Sequence, residues 1–189
     1  ISTCPFLINN KKIINNMACL LTSGRSLPCK SSVGGLKAVY FADYGTLGDV
    51  TITLGEATAF SGTPDFFKYD IKGNSSLETT INSSRENGTT FYTQTLNLTL
   101  TTLDKATQEE IKLLAAARPH VIIEDYNGNM FLVGLEHGAE VTGGTIVTGA
   151  AMGDLSGFTL TMEGQEVAPA PFVDPSIVSA SATVIDPNA

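Results

Sequence analysis

The residues able to do chemistry are few, and their spacing decides what they can do. The chain of 189 residues holds two histidines, three cysteines and nineteen acidic side chains. His120 follows Pro119 at the entrance to an apolar run, and His137 sits in Glu136-His137-Gly138. Neither has a nucleophile or a ligand partner at motif spacing, so both read as structural. Cys4, Cys19 and Cys29 make no C-x-x-C and no Cys/His pattern of the kind zinc uses, which fits free thiols in a reducing compartment; a Cys19–Cys29 disulfide is the competing reading. Gly153-Asp154-Leu155-Ser156-Gly157 has Leu155 where a serine-nucleophile motif needs Ser, and no G-x-S-x-G elbow occurs, so the segment is read as a turn.

Other polar clusters fail in similar ways. GGTIVTGAAMG lacks the Gly-Lys-Ser/Thr that grips phosphates and does not open a helix, so its glycines are expected to be bends or bulges in strands. Glu124-Asp125-Tyr126-Asn127-Gly128-Asn129 gathers oxygens but lacks the terminal Glu and flanking helices of a calcium loop, so it is read as a hairpin turn. Sequons at Asn74, Asn82, Asn87 and Asn97 are read as chance products of Asn- and Thr-rich turns and strands. The expectation is a protein that is not an enzyme, with no catalytic residue, no cofactor and no metal.

The elements that position these residues follow from periodicity. Leu96, Leu98 and Leu100 share one parity and Thr95, Asn97, Thr99 and Thr101 the other, the period of a half-buried strand. From Asp104 to Ala117 the period turns helical, with Asp104 or Thr107 as N-cap, capping-box spacing from Thr107 to Glu110, and a stop at Arg118-Pro119. Leu103, Ile111 and Leu114 form the stripe that must pack on a sheet. VIIED, Asn127-Gly128 and MFLVGL read as a hairpin with a type I′ turn. Phe158, Leu160 and Met162 alternate with Thr159, Thr161 and Glu163 in a further strand. Upstream, Leu36 to Tyr44 is a strand, and Phe66–Ile71 with Leu77–Ile81 around Gly73-Asn74 reads as a second hairpin. Gly45 to Pro64 reads as a long loop holding one short strand at Val50–Leu54, a length at which loops carry function.

Composition sets the class. The chain is 42% hydrophobic with a formal net charge of −8 and no Trp. No apolar run approaches the ~20 residues of a membrane helix, so a soluble chain with no membrane partner is expected. The acidic balance argues against binding nucleic acid through phosphate neutralisation, although not against a surface that DNA slides past. Residues 1–32 are read as an N-terminal leader or arm, in which ISTCPFLINNKKIINN precedes a start at Met17. Residues 33–166 are read as one β domain, and the Pro-, Ala- and Ser-rich residues 167–189 as an extended arm that orders on a partner.

The run from SRENGTTFYTQTLNLTLTTLDKATQEEIKLLAAARPHVIIEDYNGNM through FLVGLEHGAEVTGGTIVTGAAMGDLSGFTLTMEGQE, with MACLLTSGR and VGGLKAVYFADYG before it, resembles the tail tube proteins of tailed bacteriophages. The likeness covers most of Met17 to Asp174. It implies a mainly β fold, an antiparallel β-sandwich or barrel with one flanking α-helix, whose long strands join across six subunits around a lumen. Hexameric rings would then stack into a tube within the virion, assembled in the host cytoplasm, touching other tail proteins and letting DNA pass without specific binding during ejection. Net negative charge suits such a conduit. Under this resemblance the Phe66–Asn82 hairpin lines the lumen, with Asp70 and Glu78 facing it. The Gly45–Pro64 segment, with Gly45, Leu47, Val50 and Pro64, makes ring-to-ring contact. The alternatives are another virion component, such as a neck, head-completion or capsid-decorating protein, and a secreted β-sandwich binding module.

Overall fold

Alternating runs and continuous apolar runs build two different sheets here. The structure, a computed structural model, describes residues 24–26, 30–71, 73–180 and 183–185. The chain divides into Ile1–Ser31 and Ser32–Ala189, and every element below lies in the second unit. In order these are β1 (Leu36–Ala42), β2 (Val50–Thr53), β3 (Glu56–Phe60), β4 (Asp65–Asp70), β5 (Ser76–Ser84), β6 (Thr89–Thr101), α1 (Lys105–Leu114), β7 (His120–Asp125), β8 (Met130–Val133), β9 (Glu140–Val147), β10 (Gly157–Glu166), β11 (Phe172–Val173), α2 (Pro175–Ala180) and β12 (Thr183–Ile185). The cysteines, Met17 and the leader lie outside the described residues.

The alternating strands form a four-stranded antiparallel sheet in the order β5-β6-β10-β9. Its inner face carries Leu96, Leu98, Leu100, Phe158, Leu160 and Met162, all buried. They meet Val39, Phe41, Val121, Ile123 and Val133 of the larger sheet in one core, with Ile111 and Leu114 of α1 half-buried against it. Asp104 caps α1 as expected, its carboxylate accepting from the Thr107 N–H. Leu103, by contrast, stays more than a third exposed.

The eight-stranded sheet runs β12-β4-β1-β7-β8-β11-β3-β2. Its central strands, LKAVYFA and HVIIED, are buried on both faces, which is why they read as continuous apolar runs rather than alternations. The second face holds its own core, where Ala57 and Phe60 of β3 join Ala38 and Tyr40 of β1 and Phe66 of β4. Three strands separate β1 from β3 in the sheet order, so the sheet curls back on itself to bring them together. The fold is thus mainly β and sandwich-like, with two sheets and no closed barrel among the described residues.

Four sequence expectations are corrected. Phe66–Asn82 is not a hairpin: β4 pairs with β1 in the large sheet while β5 pairs with β6 in the small one. The turn at Gly73-Asn74 is real, but the chain uses it to cross between sheets, because Phe66 is needed in the second core while Leu77 packs against the first. Gly45–Pro64 holds more than one short strand: the strand expected at Val50–Leu54 is β2, and β3 pairs with it in a hairpin. The Asn127-Gly128 hairpin exists, but its loop is longer than two residues, closed by the Asp125 N–H donating to the Asn129 carbonyl.

The fourth correction concerns residues 167–189, which are not simply an extended arm. They supply β11, which bridges β8 and β3, then α2 as a second helix, then β12 on the edge of β4. Val173, Ile177 and Val178 are buried in the second core, so the domain does not end at Glu166. The elements are too short, and too rich in Pro and Ala, to carry a period. Each buried Val or Ile is worth roughly 1.5–3 kcal/mol. Deleting residues 171–189 should therefore lower stability in urea by at least about 4 kcal/mol; a truncated chain as stable as the full one would restore the extended-arm reading.

Candidate functional surface

The outer face of the four-stranded sheet is built from the other half of each alternation. None of β5, β6, β9 and β10 contains Lys or Arg. Partners across an antiparallel ladder share a face. Glu78 lies opposite Thr95, Thr95 opposite Glu163, and Glu163 opposite Glu140, so three carboxylates stand in one row across all four strands. Around them the face is hydroxyl and amide: Thr145 and Thr159 share a 2.6 Å hydrogen bond, Thr161 donates to Asn97 at 3.0 Å, and Asn82 donates to Thr93 at 2.9 Å.

Both edges of this sheet are open among the described residues, since β5 pairs only with β6 and β9 only with β10. The inner face does not end neatly at those edges. Ile81 on β5 lies opposite Tyr92 and Ile146 on β9 opposite Phe158, which puts both on the core side. Yet they are 65% and 58% exposed. The apolar layer therefore reaches the outermost strand on each side and is left largely uncovered there among the described residues.

The residues singled out from sequence fall in several places. Glu78 is exposed within the acidic row. Asp70 belongs to the other sheet, at the end of β4, where it pairs with Lys68 at 3.3 Å, so the two do not form one surface. Leu47 and Pro64 are buried, and Leu47 is part of the second core, so neither offers its side chain to a neighbour. Gly45 is exposed and Val50 half-buried. The exposed apolar point of that segment is instead Leu54, at the β2–β3 tip, fully exposed and in the left-handed region with φ 54°.

A second constellation was missed in the sequence. Gln94, His120 and Glu166 are buried polar side chains, and all three converge on the loop Gly134–Gly138. The Gly45 N–H donates to His120 Nε2 at 3.0 Å, which leaves the proton on Nδ1, and Nδ1 donates to the Gly134 carbonyl at 2.6 Å. Gln94 Oε1 accepts from the Gly134 N–H at 3.1 Å. Glu166 Oε1 accepts from the N–H groups of Glu136 and His137 at 3.0 and 2.9 Å, and Glu166 Oε2 faces His137 Nδ1 at 3.1 Å. Tyr44 stacks on His120 and donates its hydroxyl to the Glu136 carbonyl. The loop itself requires glycine at Gly134 and Gly138, which have positive φ and backbone where a Cβ would stand. His120 is therefore a satisfied core histidine, as its sequence context indicated.

Comparison with family models, with curated proteins and with solved structures returned no match for this chain.

Burial lowers the His120 pKa from its ordinary 6.5, against the opposing pull of its hydrogen bond to Gly134 and the charge of Glu166. The unfolded chain takes up this proton near pH 6.5 and the folded chain only at lower pH. The stability tied to neutral His120 is complete above that value and is lost as pH falls through the window below it. Urea midpoints should decline on acidification from about pH 7 to about pH 5, and His120→Gln should flatten the decline; an unchanged profile in the variant would show that other groups govern it.

Proposed function

We propose that the chain is the subunit of a phage tail tube, in which the four-stranded sheets of six copies join edge to edge around a lumen. The observation that carries this reading is the unfinished sheet: two long edges, open among the described residues, with Ile81 and Ile146 exposed on the core side of each. A neighbouring strand would cover both and close the sheet across subunits. The outer face, with no Lys or Arg and a row of three carboxylates, supports the same reading. It offers passing phosphates hydroxyls and like charge rather than cations that would hold them. Glu78, Glu140 and Glu163 are the lumen-facing acids in this arrangement. Asp70, on the other sheet, is not. The proposed partners are other copies of the chain and further tail proteins, and the proposed location is the virion.

Negative-stain electron microscopy with solution mass tests this directly. Rings or hollow tubes of uniform width are the expected outcome, and Ile146→Glu should yield a folded monomer with an unchanged melting curve. A small closed oligomer that never stacks would move the chain to a neck, head-completion or decoration role. Tubes forming equally well from the variant would sink the edge-to-edge arrangement.

Ring stacking is assigned to the β2–β3 tip. A leucine held at positive φ beside Gly55 carries a conformational cost that is smaller for Asn, and its side chain is fully exposed among the described residues. Leu54→Asn should raise monomer stability by roughly 1 kcal/mol while leaving rings that fail to stack. Normal tubes from this variant would remove the tip from the contact.

A further inference from the structure

We propose that Glu136, His137 and Glu166 form a binding site for a divalent transition ion of the zinc class, independent of the tube reading. The carboxylate oxygens and a ring nitrogen of these three residues lie within 4.8 Å of one another. One edge of a coordination sphere is already in place: His137 Nδ1 and Glu166 Oε2 stand 3.1 Å apart. Two ligands at the ordinary Zn–N and Zn–O lengths of about 2.0–2.2 Å are themselves about 3.3 Å apart in a tetrahedral site. The ion would take the place of the hydrogen bond between them, and the ring proton would move to Nε2. Glu136 is exposed, so it can close the remaining distance by side-chain rotation alone.

The surroundings are those of a supported site rather than of a surface ion pair. Glu166 is 4% exposed, and its second oxygen is fixed by two backbone N–H groups, which aims Oε2 at His137. The ligand-bearing loop is held in turn by His120 and Gln94 at Gly134 and by Tyr44 at the Glu136 carbonyl. Outer contacts of this kind set ligand orientation in metal sites and govern affinity. One imidazole and two carboxylates favour zinc and its neighbours over calcium or magnesium, which take oxygen alone. Three protein ligands leave a coordination position for water or for a donor from another copy.

The test is titration of the full chain with ZnCl2 by calorimetry, and with CoCl2 by visible absorption, after clearing with chelator. The sequence also holds Cys4, Cys19 and Cys29, so the titrations use a variant with all three replaced by Ser. One ion per chain is expected, with cobalt bands that lack a thiolate charge-transfer component. His137→Ala and Glu136→Gln should each weaken binding roughly tenfold or more. Both residues are exposed, so far-UV circular dichroism should be unchanged. Failure to take up either ion, or uptake that the two substitutions leave intact, would overturn the site. Neither result bears on tube formation, which microscopy reads separately.

Discussion

The structure depends on how the backbone is satisfied where the chain changes sheets. Within a sheet the ladder supplies a partner for each N–H and C=O, but at a crossing it cannot, and a buried crossing needs side chains in its place. Gly134–Gly138 carries the chain from β8 in the large sheet to β9 in the small one. Gln94, His120 and Glu166 serve that passage, and Gln94 also reaches the Ala168 carbonyl where the chain returns toward β11. The fourth buried polar residue, Ser75, sits at the crossing from β4 to β5 and accepts from the Thr99 N–H. Each buried polar side chain among the described residues thus bonds backbone at a place where regular hydrogen bonding stops.

This division of labour lets the rest of the interior be apolar. The two sheets are fixed to each other at a few polar points, and between them the core is aliphatic and aromatic. The large sheet needs cover on its other face as well, and the chain provides it by curling β3 and β2 around and by adding β11, α2 and β12. Phe60 and Phe66, 6.2 Å apart, mark the place where the curled sheet meets itself. The second core is therefore a product of long-range pairing, with the last residues of the described chain as its lid.

Legibility in the sequence follows that difference between local and distant causes. β6, β10 and α1 were readable, because a two-residue or a 3.6-residue period is written in neighbouring positions. β4 and β5 were readable as strands but not as members of different sheets, since a turn signal says that the chain bends and not what it pairs with afterwards. The C-terminal elements were hidden because two- and three-residue strands have no period to show. The site residues behave likewise. Glu78, Glu140 and Glu163 look scattered until the register of three ladders places them in one row. Glu166 looked like the end of a domain, although its carboxylate is among the best-enclosed polar groups in it.

The two sheets treat their edges in opposite ways, and that contrast is the strongest physical argument for assembly. The large sheet ends in β2 and β12, of four and three residues, too short to template another chain. The small sheet ends in β5 and β9, of nine and eight residues, with no Pro or Lys in either. β9 carries a bulge near Thr161, which twists part of that edge, but β5 has none. A protein meant to stay alone would blunt such edges, because open ladders with apolar side chains beside them invite pairing. Here the exposed isoleucines sit on the core side at both ends, so pairing one edge with the other on a second copy would extend the existing core. In the proposed assembly that contact would be heterologous, repeating until rotation closed it into a ring. Ile81 lies on the Glu166 side of the glutamate row and Ile146 on the Gly157 side, so a pairing that covers both isoleucines would be staggered, and the row would step from one copy to the next as closure of a barrel requires.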